Sequence, residues 1–166
     1  MIPISRSSEY AIRALTYLAM QEPGLFCLAR DMADELGIPA PFLGKVFQPL
    51  VARGLLVSQR GRHGGFRLAR PAGEITVYEI VDAQEHLDRP AACFLGQAEC
   101  TDERACPMHD YWTNARDTFL RTVSSLSLKS MLEFRERLPQ SNYPSPIAAR
   151  EPASDGHPAS PGSARE

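Results

Sequence analysis

The chain has 166 residues, 43% of them apolar, and a formal net charge of −2, enough for one domain, or one domain plus an extension, around a real core. No stretch approaches the ~20 consecutive apolar residues that span a bilayer. The opening MIPISRSSEYAIRALTYLAM lacks the basic flank and cleavable apolar block of a signal peptide, so a membrane partner is not expected and the cytoplasm is, where thiols stay reduced and open to metals.

Ser7 or Ser8 is placed to cap a first helix that runs to about Met20. Ala11, Leu15 and Leu18 recur at helical spacing, with Ile12 and Ala19 widening the apolar face. Glu22-Pro23-Gly24 stops this helix, and the short apolar run 25–28 reads as a buried strand. Within it Cys27 stands alone and reads as a core thiol, since free cysteine is among the most buried residue types. A second helix follows over 29–36, with Met32, Ala33 and Leu36 inward and Gly37 ending it.

A third helix is expected over 41–52, with Phe42, Leu43, Val46 and Leu50 inward. Pro41 suits its first turn, whereas Pro49 removes a hydrogen bond near its end. Two short helices joined by the tight turn Gly37-Ile38-Pro39 make a helix-turn-helix. Residues 55–58 and 66–69 then read as strands joined by QRGRHGG, a hairpin with a basic tip, that is, a wing. A fourth helix is expected from Thr76 to about Gln84, capped by Thr76 with Glu79 three residues on. A long helix is expected over 109–137, with Trp112, Phe119 and Leu126 every seven residues and Leu120, Val123, Met131 and Leu132 beside them. Such a stripe needs a partner surface, and a second copy of the chain supplies one. Residues 139–166 hold six prolines and one aromatic and are expected to be disordered, with no function assigned.

The resulting expectation is a mainly α protein with a small β-wing. A winged helix-turn-helix occupies residues 1–87, a cysteine loop and long C-terminal dimerisation helix 88–138, and the proline-rich tail 139–166.

Charge supports the DNA-binding half of this reading. Residues 1–70 carry nine Lys/Arg against five Asp/Glu, and within 53–70 lie five arginines and no acid. A local basic patch on an acidic protein is the footprint of a nucleic-acid reader. The second helix of the pair enters the major groove. There Lys45 and Gln48 can donate to phosphates or base edges, whereas Gly44 reads nothing. At the wing, Arg60, Arg62 and His63 can reach phosphates or a narrow minor groove.

The run CFLGQAECTDERACPMH gathers Cys93, Cys100, Cys106 and His109. Thiolates are the preferred ligands of iron–sulfur clusters, and histidine can replace one of them. Structural zinc usually takes C-x2–4-C pairs, which this run lacks, but a structural zinc site in a DNA-binding protein without a sensing role stays open as an alternative. A redox carrier is disfavoured by the basic wing. An enzyme is not expected: there is no nucleophile–base pair, phosphate-binding glycine loop or paired carboxylate set. His86 and His157 have no ligand-like neighbours in sequence and read as solvated.

Taken in order, the N-terminal helix, helix-turn-helix, wing RGRHGGFRLARP, helix ITVYEIVDA, three spaced cysteines and long helix resemble the bacterial Rrf2 family of regulators typified by IscR and NsrR, over about residues 1–138. The resemblance implies a homodimeric transcriptional regulator, expected here to act as a repressor, whose affinity for a double-stranded DNA operator is governed by an iron–sulfur cluster sensing nitric oxide, redox or iron status. It implies Cys93, Cys100 and Cys106 as ligands, with His109 completing a 2Fe–2S site and 4Fe–4S as the alternative. Glu9 falls where some members carry an acidic ligand supplied by the partner subunit, so His109 and Glu9 both stand as candidates for the fourth position. Gly44 departs from the IscR-like pattern, which has a carboxylate there.

Overall fold

The computed structural model describes residues 4–61, 64–87, 93–141 and 143–144. Ser5 opens the first helix, α1 (Arg6–Ala19), its hydroxyl accepting the Ser8 amide at 3.2 Å. The cap is therefore Ser5, not Ser7 or Ser8. Ser8 is buried instead and donates its hydroxyl to the Glu85 carboxylate. Ala11, Leu15 and Leu18 face inward as expected, joined by Ala14 and Tyr10.

The segment expected as a strand at 25–28 pairs at only one residue, an isolated bridge from Cys27 to Phe66. Little chain is left for more: Leu28 is already the residue before α2 (Ala29–Leu36). Gly37 then ends α2 in the left-handed conformation at φ 64°, where glycine avoids the Cβ penalty. Its turn leads through buried Ile38 into α3 (Ala40–Ala52), which continues past Pro49.

Leu43, Val46, Phe47 and Leu50 form the buried face of α3. Phe47 is fully enclosed and meets Phe66 at 4.6 Å between ring centroids. Phe42, expected inward, is instead 38% exposed and packs edge-on against Tyr10. The spacing 43, 46, 47, 50 is the i, i+3, i+4, i+7 stripe, and residue 42 lies one step around the helix from it.

The wing consists of β1 (Leu56–Gln59) and β2 (Gly65–Leu68), antiparallel, with Leu56 opposite Leu68 and Gln59 opposite Gly65. Gly65 sits at φ 135°, and a Cβ there would run into the Cys27 carbonyl. After a 3₁₀ turn at Ala72–Glu74 comes α4 (Val77–Glu85), closed by the expected capping box. Thr76 Oγ1 accepts the Glu79 amide at 3.2 Å, and the Thr76 amide donates to Glu79 at 2.9 Å.

The single helix expected over 109–137 is two helices, α5 (His109–Ser125) and α6 (Leu128–Arg137). Tertiary pairing explains the break. Val77 N–H donates to the Leu126 carbonyl at 2.8 Å, and Leu128 N–H donates to the Ile75 carbonyl at 3.0 Å. These bonds hold Leu126 and Ser127 extended. Ser127 then caps α6, in a second box with Ser130. Leu126, expected on a dimer stripe, is exposed, whereas Leu128 is fully buried in the main core with Leu15, Leu43 and Ile80.

A smaller cluster of Val77, Val81 and Val123, flanked by Phe119 and Met131, seats α5 on α4. Beyond α6, Pro139–Ser141 make one 3₁₀ turn and Tyr143 is half-buried, so the expected disorder does not begin at 139; residues 145–166 lie outside the described residues. Among the described residues, no helix is long and apolar enough to cross a membrane.

Burial pushes the Glu79 carboxyl up, but the Thr76 amide and hydroxyl and the Arg70 guanidinium outweigh it and hold the group below its ordinary value. A depressed carboxylate contributes stability above its unfolded pKa and loses it as pH falls through the folded one. The denaturation midpoint of Glu79→Gln should therefore lie below that of the wild type at neutral pH, and the gap should narrow in acid. Thr76→Ala removes the cap itself and should cost about 1 kcal/mol, read as a lower denaturant midpoint with an unchanged m-value.

Candidate nucleic-acid interface and metal centre

The turn after α2 points α3 outward with Lys45 and Gln48 exposed on it, and a Cβ added at Gly44 would meet open space. Helix α3 is the second helix of the pair, the one that enters a major groove in this motif. At the wing, Arg60 is exposed beside Gly61. Arg62 and His63 lie outside the described residues.

The basic patch is thinner than its composition. Arg53 pairs with the nearly buried Asp82 of α4 at 3.0 Å. Arg70 pairs with Glu79 at 2.7 Å and donates to the Glu74 carbonyl. Arg67 lies 5.1 Å over the Phe26 ring and donates to the Leu68 carbonyl. Three of the five arginines thus brace the wing and α4.

The cysteine loop turns sharply at its start, where the Gly96 amide donates to the Cys93 carbonyl at 3.0 Å and Gly96 sits at φ 79°. The backbone amides of Gln97, Leu95 and Gly96 and the Cys106 thiol converge on the Cys93 sulfur. The Gln97 amide is the largest influence, and together they hold the Cys93 thiol below its ordinary value. Cys100 is pushed the other way, first by burial and then by the negative charges of Cys93 and Cys106. Cys93 and Cys106 thus lie near enough to Cys100 to oppose its ionisation.

His109 begins α5, its amide donating to the Cys106 carbonyl at 2.9 Å. The residue is only 6% exposed. Its Nδ1 is 3.6 Å from Cys100 Sγ, and its Nε2 is 3.0 Å from Asp102 Oδ1. Asp102 opens the 3₁₀ turn Asp102–Arg104 that folds the loop back onto the helix start.

The contacts therefore join Cys93 with Cys106, and Cys100 with His109. Among the described residues, no three His, Cys, Asp or Glu side chains are already drawn into one metal-holding group. Glu9, the other candidate, forms an ion pair with Arg13 on its own helix at 3.3 Å. Sequence reasoning missed Asp102, whose signal was a carboxylate two residues after Cys100 and seven before the histidine. Cys27 is half-buried against the main core, and burial raises its thiol, in keeping with a packing role.

Comparison with known proteins bears on both halves. Residues 4–133 match the Rrf2 family, described as iron-dependent transcriptional regulators. Protein aau3 of Rhizobium meliloti is 31% identical over 84% of this chain and 89% of its own length. The HTH-type transcriptional regulator IscR of Photorhabdus laumondii is 29% identical over 81% of this chain and 82% of its own. Among solved structures, the global cysteine regulator CymR of B. subtilis superposes with a TM-score of 0.67, covering 81% of this chain and 98% of that one. IscR of T. potens gives 0.66, covering 82% and 90%. Both structures are 22% identical to this chain, so that likeness is one of fold. The family match takes in the helix-turn-helix, the wing, the cysteine loop and nearly all of the last two helices, and on that ground the chain belongs to the Rrf2 family of DNA-binding transcriptional regulators and is not an enzyme.

Proposed function

We propose that this regulator's affinity for its operator is set by an iron–sulfur cluster of the 2Fe–2S kind, held by Cys93, Cys100, Cys106 and His109. The observation that carries this reading is the buried His109, with one ring nitrogen turned to the Cys100 sulfur, in a loop whose other two cysteines, Cys93 and Cys106, meet each other. Three thiols and an imidazole suit iron–sulfur ligation, and a cationic centre relieves the repulsion that Cys93 and Cys106 exert on an ionised Cys100. The four side chains now pair two and two, Cys93 with Cys106 and Cys100 with His109, so binding asks the loop to bring the pairs together. When bound, such a cluster supplies a centre whose oxidation, nitrosylation or loss changes how firmly the four side chains are tied together.

The chain's own residues would carry that change outward. His109 is the first residue of α5, and the far end of α5 is bonded through Leu126 to Val77, at the start of α4. In turn α4 meets the recognition helix, with Gln84 donating to the Val46 carbonyl at 3.0 Å. A tenfold change in affinity needs only ~1.4 kcal/mol of coupling along this path.

The regulator acts as a homodimer on a palindromic operator in the cytoplasm. In this reading residues 1–87 grip DNA, 88–138 hold the cluster and the partner, and the tail from 139 has no assigned role. Large apolar side chains left exposed on the loop and the last two helices support pairing: Phe94, Leu95, Tyr111, Leu126 and Phe134. Glu9 of the partner subunit is then the competing fourth ligand, and His109 is preferred because it already faces a cysteine.

Anaerobically purified protein should be brown, with iron, sulfide and visible absorbance. Replacing Cys93, Cys100 and Cys106 together by alanine should abolish the colour and change operator affinity at least tenfold in a gel shift. A colourless wild type carrying zinc, or equal shifts for the two proteins, overturns the sensor reading and leaves DNA binding intact. At the other end of the molecule, Lys45→Ala and Arg60→Ala should each weaken binding to all sequences alike and lower the salt slope by about one. An unchanged slope removes that residue from the phosphate contacts.

A further inference from the structure

We infer that Asp102 is a positioning residue for His109: its carboxylate accepts a hydrogen bond from Nε2–H and leaves Nδ1 bare toward the Cys100 sulfur. The inference rests on the ligand role proposed for His109 and deepens it, by naming what prepares the imidazole for that role.

Geometry and donor chemistry together carry it. His109 is 6% exposed, and its ring is met on both edges, by Asp102 Oδ1 at 3.0 Å from Nε2 and by Cys100 Sγ at 3.6 Å from Nδ1. A carboxylate accepts hydrogen bonds and donates none, so the nitrogen facing it bears the proton. Neutral imidazole has one N–H, and Nδ1 is then left with its lone pair. A histidine that binds metal through one nitrogen commonly donates its other N–H to a carboxylate, which fixes tautomer and ring orientation.

The local chain is arranged for this contact. Thr101 is extended, and the 3₁₀ turn Asp102–Arg104 brings the carboxylate back to the first residue of α5. The Asp102 side chain is 97% exposed, and an ion pair so open to water contributes little to folding. Its contribution is orientation, and the test separates the two.

Three full-length variants, Asp102→Ala, Asp102→Asn and Asp102→Ala in a His109→Ala background, are prepared anaerobically beside the wild type. In cluster-free protein, ¹⁵N NMR of the His109 ring should show the Nε2–H tautomer in the wild type and a mixture in Asp102→Ala. Asp102→Asn should retain the wild-type signal, because its amide oxygen still accepts the bond. Thermal stability should not change. In iron-loaded protein, Asp102→Ala should release iron to a chelator ten- to a hundredfold faster. It should add nothing once His109 is alanine. A tautomer and release rate both indifferent to Asp102→Ala overturn the inference, as does an undiminished effect without His109. If the wild type takes up no iron although its tautomer depends on Asp102, the cluster reading falls and takes this role with it, and the ring signal shows that the contact itself was correct.

Discussion

Two extended segments, 75–77 and 126–128, exchange backbone hydrogen bonds, and the arrangement of the C-terminal half follows from that exchange. Val77 gives its amide to Leu126, and Leu128 gives its amide to Ile75. Both bonds use groups that a helix end leaves without an internal partner. Each segment is also the mouth of a helix, closed by Thr76 with Glu79 on one side and by Ser127 with Ser130 on the other. Satisfying two helix starts at one place is worth more than continuing one helix through Leu126. The chain therefore bends there, sending α6 back onto α1 and placing Leu128 in the main core. Helix α5 is left to lie on α4 by a few valines, with the cysteine loop at its far end.

Local rules made much of the winged half legible. Helix α2 has the bounds its apolar spacing demands, since Gly37 stops it with a backbone few other residues adopt. The wing strands are displaced by only a residue from expectation, and the T-x-x-E box at Thr76 reads directly as a helix start. What escaped depends on partners distant in the chain. The seven-residue recurrence of Trp112, Phe119 and Leu126 runs straight across a break that only residues 75–77 impose. Phe42 and Phe47 differ by where the core lies, and composition cannot rank them. The arginines at 53 and 70 look like a DNA patch until Asp82 and Glu79 are seen beside them.

The cysteine loop shows the same division. Its ligand types stand out in the sequence because soft donors so close together have little packing use. Their mutual geometry does not, since loop turns and the start of α5 decide which sulfur meets which partner. Asp102 was hidden for an ordinary reason: one acid among the acids of an exposed loop carries no pattern of its own. Only its 3.0 Å approach to the His109 ring sets it apart.

Cys27 holds the wing by its backbone, trading both its amide and its carbonyl with Phe66, and two residues later the chain is inside α2. Gly65 permits that approach because no Cβ intervenes. The hairpin is in this way riveted to the frame that aims the recognition helix. The exposed face of α3 and the base of the wing are therefore tied to one frame within the chain. In the dimer proposed above, adaptation to a bent or narrowed duplex would then fall to how two such frames are set relative to each other, as in a calliper.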